Sequence, residues 1–466
     1  MKNVAAKSFT AEQLRNLITG PDELALIDLR EGGVFSQSHL LFAANCPLSR
    51  LEILIEKIVP RKSVLLVVCT NALDTKRSEK GLRRLAALGY TNLGQLEGGI
   101  EAWQNAGYEL FSGVHVPSKA FGEFVEANAG TPHISAADLA TKTANGEDIV
   151  VLDSRPFNEY HNMNIPNGID VPGAELAYRI HDLAPNPETT VVVNCAGRTR
   201  SIIGAQSLIN AGIPNPVVAL ENGTMGWHLA GLELERGQRR NFNEVSPDAL
   251  VVAEKRAAMV RDRFEVPVTD HAQVSTWLKD PTRTTYLLDV RDPAEFQQAH
   301  LPGSKSSPGG QLVQATDLYV GVRRARLVLI DDTGVRASMS ASWLIQMGWH
   351  DVHVLYGISA LFTESGSQQQ QISNLNQQPI EYISAEKLRD ALDGPEKVHV
   401  ADLATSLQYR DQGHIPGAWF TVRSHMPENL SFANESELIV LTSPDGQLAA
   451  LAFEDATEGG LKVKVL

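Results

Sequence analysis

One seven-residue segment, residues 195–201, holds the residue types best suited to covalent chemistry, a cysteine followed closely by two arginines. An apolar run leads into it and an amphipathic segment follows it, which predicts a buried strand, a tight loop and then a helix. Unpaired backbone N–H groups and the helix dipole favour an anion at a helix N-terminus. We therefore expect Cys195, beside Arg198 and Arg200, to lose its proton near neutral pH and to act as a nucleophile.

The same loop is suited to binding the charged end of a substrate through its backbone N–H groups. The candidate substrate-binding residues are Ala196, Gly197, Arg198, Thr199, Arg200 and Ser201, with Arg179 as a candidate second cation. For the cysteine, the alternative is a buried and inert thiol at a strand end. For Arg179, the alternative is an ordinary surface arginine.

Size and charge limit the classes of protein to consider. The chain has 466 residues, which exceeds one ordinary core, so three or four domains are expected. Its net charge of −14 argues against a nucleic-acid partner. It contains neither a signal-like apolar N-terminus nor an apolar run of about 18 residues, so no membrane association is expected. Its 3 cysteines are too few for a disulfide framework and fit a reducing cytoplasm.

Self-comparison of the sequence shows one pattern four times. Each copy begins with an apolar strand, passes a turn containing His or Ile-Pro, and reaches a second strand with a loop at its end. The aspartates that end the first strands are Asp28, Asp153, Asp289 and Asp402. In the first three copies an Asp-x-Arg pair follows, and we expect it to form a buried ion pair. Alternating strands and helices predict an α/β fold, with parallel sheets covered by helices and ligands beyond the carboxyl ends of the strands.

The spacing of Cys195, four residues, Arg200 and Ser201 resembles the active-site loop of rhodaneses. The whole repeat resembles the rhodanese homology domain, and this resemblance covers nearly the full chain. It implies four tandem rhodanese-like domains, each a mainly parallel sheet flanked by helices. It also implies sulfurtransferase activity.

The repeats also predict the domain boundaries. The predicted domains are residues 1–113, 131–237, 265–364 and 379–466. The connector 114–131 has apolar residues at helical spacing, and the connector 246–264 is predicted to be a charged helix. The polar stretch 365–371 is predicted to be a flexible linker. The fourth copy ends where the others place their last strand; whether residue 466 is the natural end stays open.

The second repeat is expected to carry the chemistry. Asp331 takes the place of the cysteine in the third repeat, and Thr442 takes it in the fourth, where Gln447 replaces the arginine. We expect both to be inactive. The first repeat has Cys69 at the strand end, but Arg77 follows eight residues later instead of five, and a longer loop disperses the backbone N–H groups. An inert Cys69 is therefore favoured, although a second reactive thiol stays open.

The resemblance implies that a thiolate at Cys195 takes the outer sulfur of a small anionic donor such as thiosulfate. The resulting persulfide then passes its sulfur to cyanide, a thiol or a protein acceptor, without a metal or organic cofactor. One alternative is a non-catalytic sulfur-sensing or protein-binding scaffold built of rhodanese-like domains. A phosphatase is a more distant alternative, because related phosphatases carry one more residue between the cysteine and the arginine. The sequence leaves open the physiological donor, the acceptor and the oligomeric state.

Overall fold

The computed structural model describes residues 6–366, 379–426, 428–434, 436–458 and 460–466. Most of the predicted linker 365–371 lies outside these residues. The chain divides into two compact units. One unit contains the first and fourth repeats, and the other contains the second and third repeats with both connectors. The α/β class with parallel sheets is confirmed, whereas this pairing of repeats was not predicted.

The first repeat forms a parallel sheet in the order β1-β5-β4-β2, with β3 beside β2. Strand β2 is buried along its whole length, as a strand covered by helices on both faces must be. The elements are β1 (Lys7–Phe9), α1 (Ala11–Thr19), β2 (Leu24–Asp28), α2 (Gly32–Phe35), β3 (Ala44–Asn45), α3 (Leu51–Ile58), β4 (Leu65–Cys69), α4 (Thr75–Ala87), β5 (Leu93–Leu96) and α5 (Gly99–Asn105), with a 3₁₀ helix at Leu48–Arg50.

The second repeat follows the connector helix α6 (Val116–Ala129). Its parallel sheet has the order β6-β10-β9-β7-β8. Apolar clusters cover both faces of this sheet. The elements are β6 (His133–Ile134), α7 (Ala136–Ala144), β7 (Ile149–Asp153), α8 (Phe157–Asn162), β8 (Ile169–Asp170), α9 (Glu175–Leu183), β9 (Thr190–Asn194), α10 (Thr199–Asn210), β10 (Val217–Leu220) and α11 (Gly223–Leu229).

The third repeat follows the connector helix α12 (Pro247–Arg263). Its parallel sheet has the order β12-β11-β14-β15. The third repeat ends in a short 3₁₀ turn at Ser359–Leu361. The elements are α13 (His271–Trp277), β11 (Thr285–Asp289), α14 (Pro293–Gln298), β12 (Lys305–Ser306), α15 (Gly309–Gln314), β13 (Val322–Arg323), β14 (Arg326–Ile330), α16 (Val335–Gln346) and β15 (Val352–Leu355), with a 3₁₀ helix at Thr316–Leu318.

The fourth repeat forms a parallel sheet in the order β17-β16-β18-β19. Its last described element is strand β19, as the sequence predicted. The elements are α17 (Ala385–Leu392), β16 (Val398–Asp402), α18 (Ser406–Asp411), β17 (Trp419–Phe420), β18 (Leu438–Thr442), α19 (Gln447–Thr457) and β19 (Lys462–Val465), with 3₁₀ helices at Arg423–His425 and Glu428–Leu430.

Both connectors are helices, as predicted. The hydroxyl of Ser246 accepts a hydrogen bond from the N–H of Ala249 at 3.3 Å and caps α12. Ala253 and Ala257 of α12 pack in one buried cluster with Tyr178 of the second repeat and Val335 of the third. This connector therefore helps to join the two repeats. No helix among the described residues is long and apolar enough to cross a membrane.

Candidate active site

Cys195 lies where the sequence predicts it, between strand β9 and helix α10. Its side chain is buried, while the next residue, Ala196, is exposed. The Cys195 Sγ lies 3.5 Å from the hydroxyl oxygen of Ser201, which donates to the carbonyl oxygen of Arg198 at 2.7 Å. The thiol therefore lies beneath the loop, at the N-terminal end of a twelve-residue helix.

The backbone at Cys195 is held from two directions. The N–H and the hydroxyl of Thr224 donate to the carbonyl oxygen of Cys195 at 2.8 and 3.0 Å. Gly223 has a φ of +55°, and a Cβ there would overlap that same oxygen, so this position requires glycine. The hydroxyl of Ser154 donates to the carbonyl oxygen of Asn194 at 2.8 Å. These contacts hold the backbone at the end of β9 and so fix the position of the Cys195 side chain.

Both loop arginines are engaged with carboxylates. Arg198 Nε contacts Glu123 at 2.8 Å, and its Nη2 contacts Glu126; both glutamates lie on the connector helix α6. Arg200 makes a bidentate pair with Glu159 of α8, at 2.8 and 2.7 Å. Burial alone would lower the pKa of Arg200, but its pairing with Glu159 outweighs burial and raises that pKa.

Arg200 also reaches the third repeat. Its Nη1 donates to Oε1 of Gln311, on α15, at 3.2 Å. The Cys195 loop of the second repeat is therefore in contact with the third repeat, which carries no cysteine.

Arg179 lies in the interior of helix α9 and is buried. Its Nε pairs with Glu175 at 2.7 Å, its Nη1 donates to the carbonyl oxygen of Asn243 at 2.7 Å, and its guanidinium lies 3.6 Å from the ring centre of Phe242. These contacts give Arg179 a structural environment. Its role as a second substrate cation stays a prediction.

The Asp-x-Arg pairs are buried ion pairs. Asp153 and Arg155 meet at 2.7 Å, and Arg155 also donates to the carbonyl oxygen of Met163 at 2.6 Å. The first and third repeats contain the same arrangement, at Arg30 and Arg291. Since repeats without a cysteine at the position of Cys195 keep the pair, its contacts are those of a structural element.

The strand register corrects the alignment of the first repeat. The N–H of Ser154 donates to the carbonyl oxygen of Asn194, and the equivalent N–H of the first repeat donates to the carbonyl oxygen of Cys69. The residue that follows, Thr70, then accepts from the N–H of Ile100, as Cys195 accepts from Thr224. Thr70 thus occupies the position of Cys195, and the prediction that Cys69 takes this strand position was wrong.

The fourth repeat needs the same correction. Asp153 is paired across the sheet with Asn194, and Asp402 is paired with Thr442. Thr442 therefore corresponds to Asn194, and Ser443 occupies the position of Cys195. The sequence alignment was off by one residue because the apolar run ends at Leu441, whereas the strand β18 extends through Thr442. In the third repeat the register confirms the predicted alignment of Asp331 with the cysteine.

The loops of the third and fourth repeats cap their own backbone N–H groups. The carboxylate of Asp331 accepts from the N–H groups of Gly334 and Ala337. The hydroxyl of Ser443 accepts from the N–H of Ala449 at 3.1 Å. For the Cys195 loop, the described residues include no side-chain oxygen that accepts from the N–H groups of residues 196–201.

The first repeat closes its loop in a different way. Glu101 accepts from the N–H of Ala72 at 2.8 Å, and Asp74 accepts from the N–H of Arg77 at 3.3 Å. Burial, and then the nearby carboxylate of Asp28, raise the pKa of the Cys69 thiol well above its usual range. A thiol in these surroundings stays protonated and is a poor nucleophile.

Comparison with known proteins agrees with this architecture. The chain matches the Rhodanese-like domain family over residues 10–106, 135–230 and 270–360. It therefore belongs to the rhodanese-like domain family and is a rhodanese-like enzyme. The crystal structure of a thiosulfate sulfurtransferase from Pseudomonas aeruginosa is similar over 99% of this chain and 87% of its own, with 47% identity and a TM-score of 0.94.

Two curated proteins match single portions of the chain. An HTH-type transcriptional regulator of Mycobacterium tuberculosis is 32% identical over 110 residues, which are 23% of this chain and 47% of the regulator. The chain thus matches about half the length of that relative. A putative sulfur carrier protein of Bacillus subtilis is 25% identical over 136 residues, which are 28% of this chain and 72% of that protein.

Sequence reasoning missed the residues that hold the two arginines. These are Glu123 and Glu126 on the connector, Glu159 in the same repeat, and Gln311 in the third repeat. They lie 41 to 111 residues from their partners, so no local pattern identifies them. The recurrence of a glutamate four residues after the Asp-x-Arg pair in the second and third repeats was the available signal for Glu159.

Proposed function

We propose that this protein transfers a sulfane sulfur from thiosulfate, or a donor of similar chemistry, to a thiophilic acceptor through a persulfide on Cys195. One observation carries the proposal. The Cys195 loop combines a thiol with loop N–H groups that no described side chain caps, whereas Asp331 and Ser443 cap the equivalent loops from within. The similarity to the Pseudomonas thiosulfate sulfurtransferase supports the choice of donor.

The reaction has two displacement steps. The Cys195 thiolate attacks the outer sulfur of thiosulfate, a new S–S bond forms, and sulfite leaves with the electron pair of the broken S–S bond. The acceptor, cyanide or a thiolate, then attacks the outer sulfur of the persulfide, and the Cys195 thiolate is regenerated. Electrons and atoms balance without a metal or an organic cofactor.

The loop residues have distinct parts in these steps. The N–H groups from Ala196 to Ser201, including those of Gly197 and Thr199, stabilise the negative outer sulfur of the persulfide. Arg200 and Arg198 orient the anionic donor while their glutamate partners fix the two guanidinium groups. Arg179 contributes to the positive charge of the same repeat.

The persulfide is tested by intact-mass spectrometry after incubation with thiosulfate. We expect a gain of one sulfur, about 32 Da, that disappears on addition of cyanide. Cys195→Ser must abolish this gain. Cys69→Ser is the matched control and must keep it, since Thr70 and not Cys69 occupies the position of Cys195, and burial and Asp28 raise the pKa of the Cys69 thiol. A gain that survives in Cys195→Ser but not in Cys69→Ser contradicts the assignment.

The first, third and fourth repeats fit a non-catalytic role, because their loops are closed by their own side chains. They are candidates for binding a protein that accepts the sulfur. All three cysteines are free thiols, which supports a reducing compartment such as the cytoplasm. Sulfur transfer from the purified protein to cyanide alone would show that no such partner is needed for turnover.

A further inference from the structure

Arg200 and Arg336 occupy equivalent places in the second and third repeats. Each lies in the first turn of the helix that follows the loop. Each makes a bidentate pair with a glutamate of its own repeat. For Arg200 this partner is Glu159, at 2.8 and 2.7 Å, and for Arg336 it is Glu295, at 2.5 and 3.1 Å.

Each arginine also reaches across to the other repeat. Arg336 Nη1 donates to Glu175 Oε1 at 3.0 Å, and Arg200 Nη1 donates to Gln311 Oε1 at 3.2 Å. Glu175 and Gln311 are equivalent residues. Glu175 lies five residues after the end of β8, and Gln311 lies five residues after the end of β12. The N–H of each donates to the carbonyl oxygen of a proline three residues earlier. The two repeats therefore exchange reciprocal contacts that differ in one respect, a carboxylate against a neutral amide.

The charge around the two arginines differs accordingly. Arg336 is fully buried, and four carboxylates lie within 4 Å of it. These carboxylates belong to Glu175, Glu295, Asp331 and Asp332. Within the described residues, Arg200 has one carboxylate partner, Glu159, because Cys195 and Ala196 stand where the third repeat has its two aspartates.

Asp331 thus places a carboxylate in the third repeat at the position where the second repeat has the thiol of Cys195. The carboxylates around Arg336 compensate its positive charge without a ligand. The surroundings of Arg200 have room for the negative charge of a sulfur donor, provided that the residue at 311 is neutral.

We propose that Gln311, in the third repeat, is a positioning residue of the active site. It holds Arg200 through a neutral carbonyl, so that no second carboxylate compensates the positive charge of Arg200 and this charge remains available to a doubly charged sulfur donor. This inference rests on the proposed function. The third repeat is then part of the active site, and a glutamate at 311 would recreate the neutralised environment of Arg336.

The test compares Gln311→Glu, which adds one charge at nearly constant shape, with Gln311→Met, which removes the hydrogen bond without adding charge. Donors are thiosulfate, a dianion, and benzenethiosulfonate, a monoanion, with cyanide as acceptor. For Gln311→Glu we expect the KM for thiosulfate to rise about tenfold and that for benzenethiosulfonate about threefold, with kcat changed less than about twofold. For Gln311→Met we expect increases of about two- to threefold for both donors.

A purely structural role of Gln311 predicts equal losses with both donors in both variants, and that result overturns the inference. Unchanged KM values in both variants overturn it as well. Gln311→Asp provides the same charge in a smaller side chain, and its KM increase must follow that of Gln311→Glu. The melting temperature of each variant confirms that it is folded.

A binding measurement separates this inference from the proposed reaction. Calorimetric titration of thiosulfate into Cys195→Ser, and into Cys195→Ser combined with Gln311→Glu, measures the anion site without turnover. Weaker binding in the double variant, by about tenfold, supports the role of Gln311 even if the wild-type protein forms no persulfide. Equal binding overturns the inference even if the wild-type protein transfers sulfur normally.

Discussion

Asp331 occupies in the third repeat the strand-end position that Cys195 occupies in the second, and its carboxylate accepts hydrogen bonds from the N–H groups of its own loop. The two loops have the same length and lead into helices of the same length. They differ in whether a side chain of the loop itself accepts hydrogen bonds from the loop N–H groups. This relationship makes one loop a structural closure and the other a candidate binding site for an anion.

Asp331→Cys is predicted not to create a second reactive thiol. The new thiol would share Arg336 with the carboxylates of Glu175, Glu295 and Asp332, which disfavour a thiolate. After thiosulfate treatment, intact-mass spectrometry should show one added sulfur in Asp331→Cys and none in its combination with Cys195→Ser. A second added sulfur would show that loop length, and not the surrounding charge, decides reactivity.

Gly223→Ala is predicted to impair sulfur transfer more than stability. A left-handed alanine costs about 1–2 kcal/mol wherever it occurs. At 223 the added Cβ also displaces the carbonyl of Cys195, so we expect the transfer rate to fall about 100-fold. Gly231→Ala is the matched control, because its φ is +77° and open space surrounds it. Equal transfer rates in the two variants would refute this account of Gly223.

Arg423→Met is predicted to destabilise the unit formed by the first and fourth repeats. Arg423 is buried and pairs with Glu52 at 2.7 Å and Asp455 at 2.6 Å. Its removal leaves the buried Glu52 with Arg84, at 3.4 Å, as its remaining cation among the described residues. We expect a loss of about 3–5 kcal/mol, measured by urea denaturation. Arg410→Met removes an exposed pair of the same repeat and should leave the urea midpoint nearly unchanged. A similar small effect at Arg423 would contradict the prediction.

Asp170→Asn is predicted to make the free energy of unfolding less sensitive to a rise of pH toward 8. Burial, followed by the charges of Asp153 and Asp292, raises the pKa of Asp170 to about 8, and one of its carboxylate oxygens has no hydrogen-bond partner among the described residues. Between about pH 4 and pH 8 the folded protein holds a proton that the unfolded chain releases, so stability falls as pH rises through this window.

Asparagine carries no such proton and fits the position. In the first repeat Asn45 takes the place of Asp170 and donates to the carbonyl oxygens of Arg30 and Asp28 at 2.8 and 3.3 Å. Between pH 5 and pH 8 we expect the wild-type protein to lose about 1–3 kcal/mol more than Asp170→Asn, measured by urea denaturation at each pH. Parallel pH profiles would show that Asp170 is ionised in the folded protein.

The sequence by itself determined the repeated α/β units and the location of Cys195. These features depend on local patterns: the apolar runs of β7 and β9, the helix that starts at Thr199, and the spacing from Cys195 to Arg200. Such patterns are dictated by backbone geometry and by burial of neighbouring residues, and they are readable within about ten positions. The helical connector at Ser246 was predictable for the same reason.

Tertiary structure alone decided the alignment of the degenerate loops and the partners of the arginines. The hydrogen-bond register between strands identified Thr70 and Ser443 as the counterparts of Cys195. The sequence pattern alone does not distinguish these alignments from ones shifted by one residue. The contact from Arg200 to Gln311 joins residues 111 positions apart. It exists because the second repeat packs with the third, and that choice depends on the shape and charge of whole surfaces.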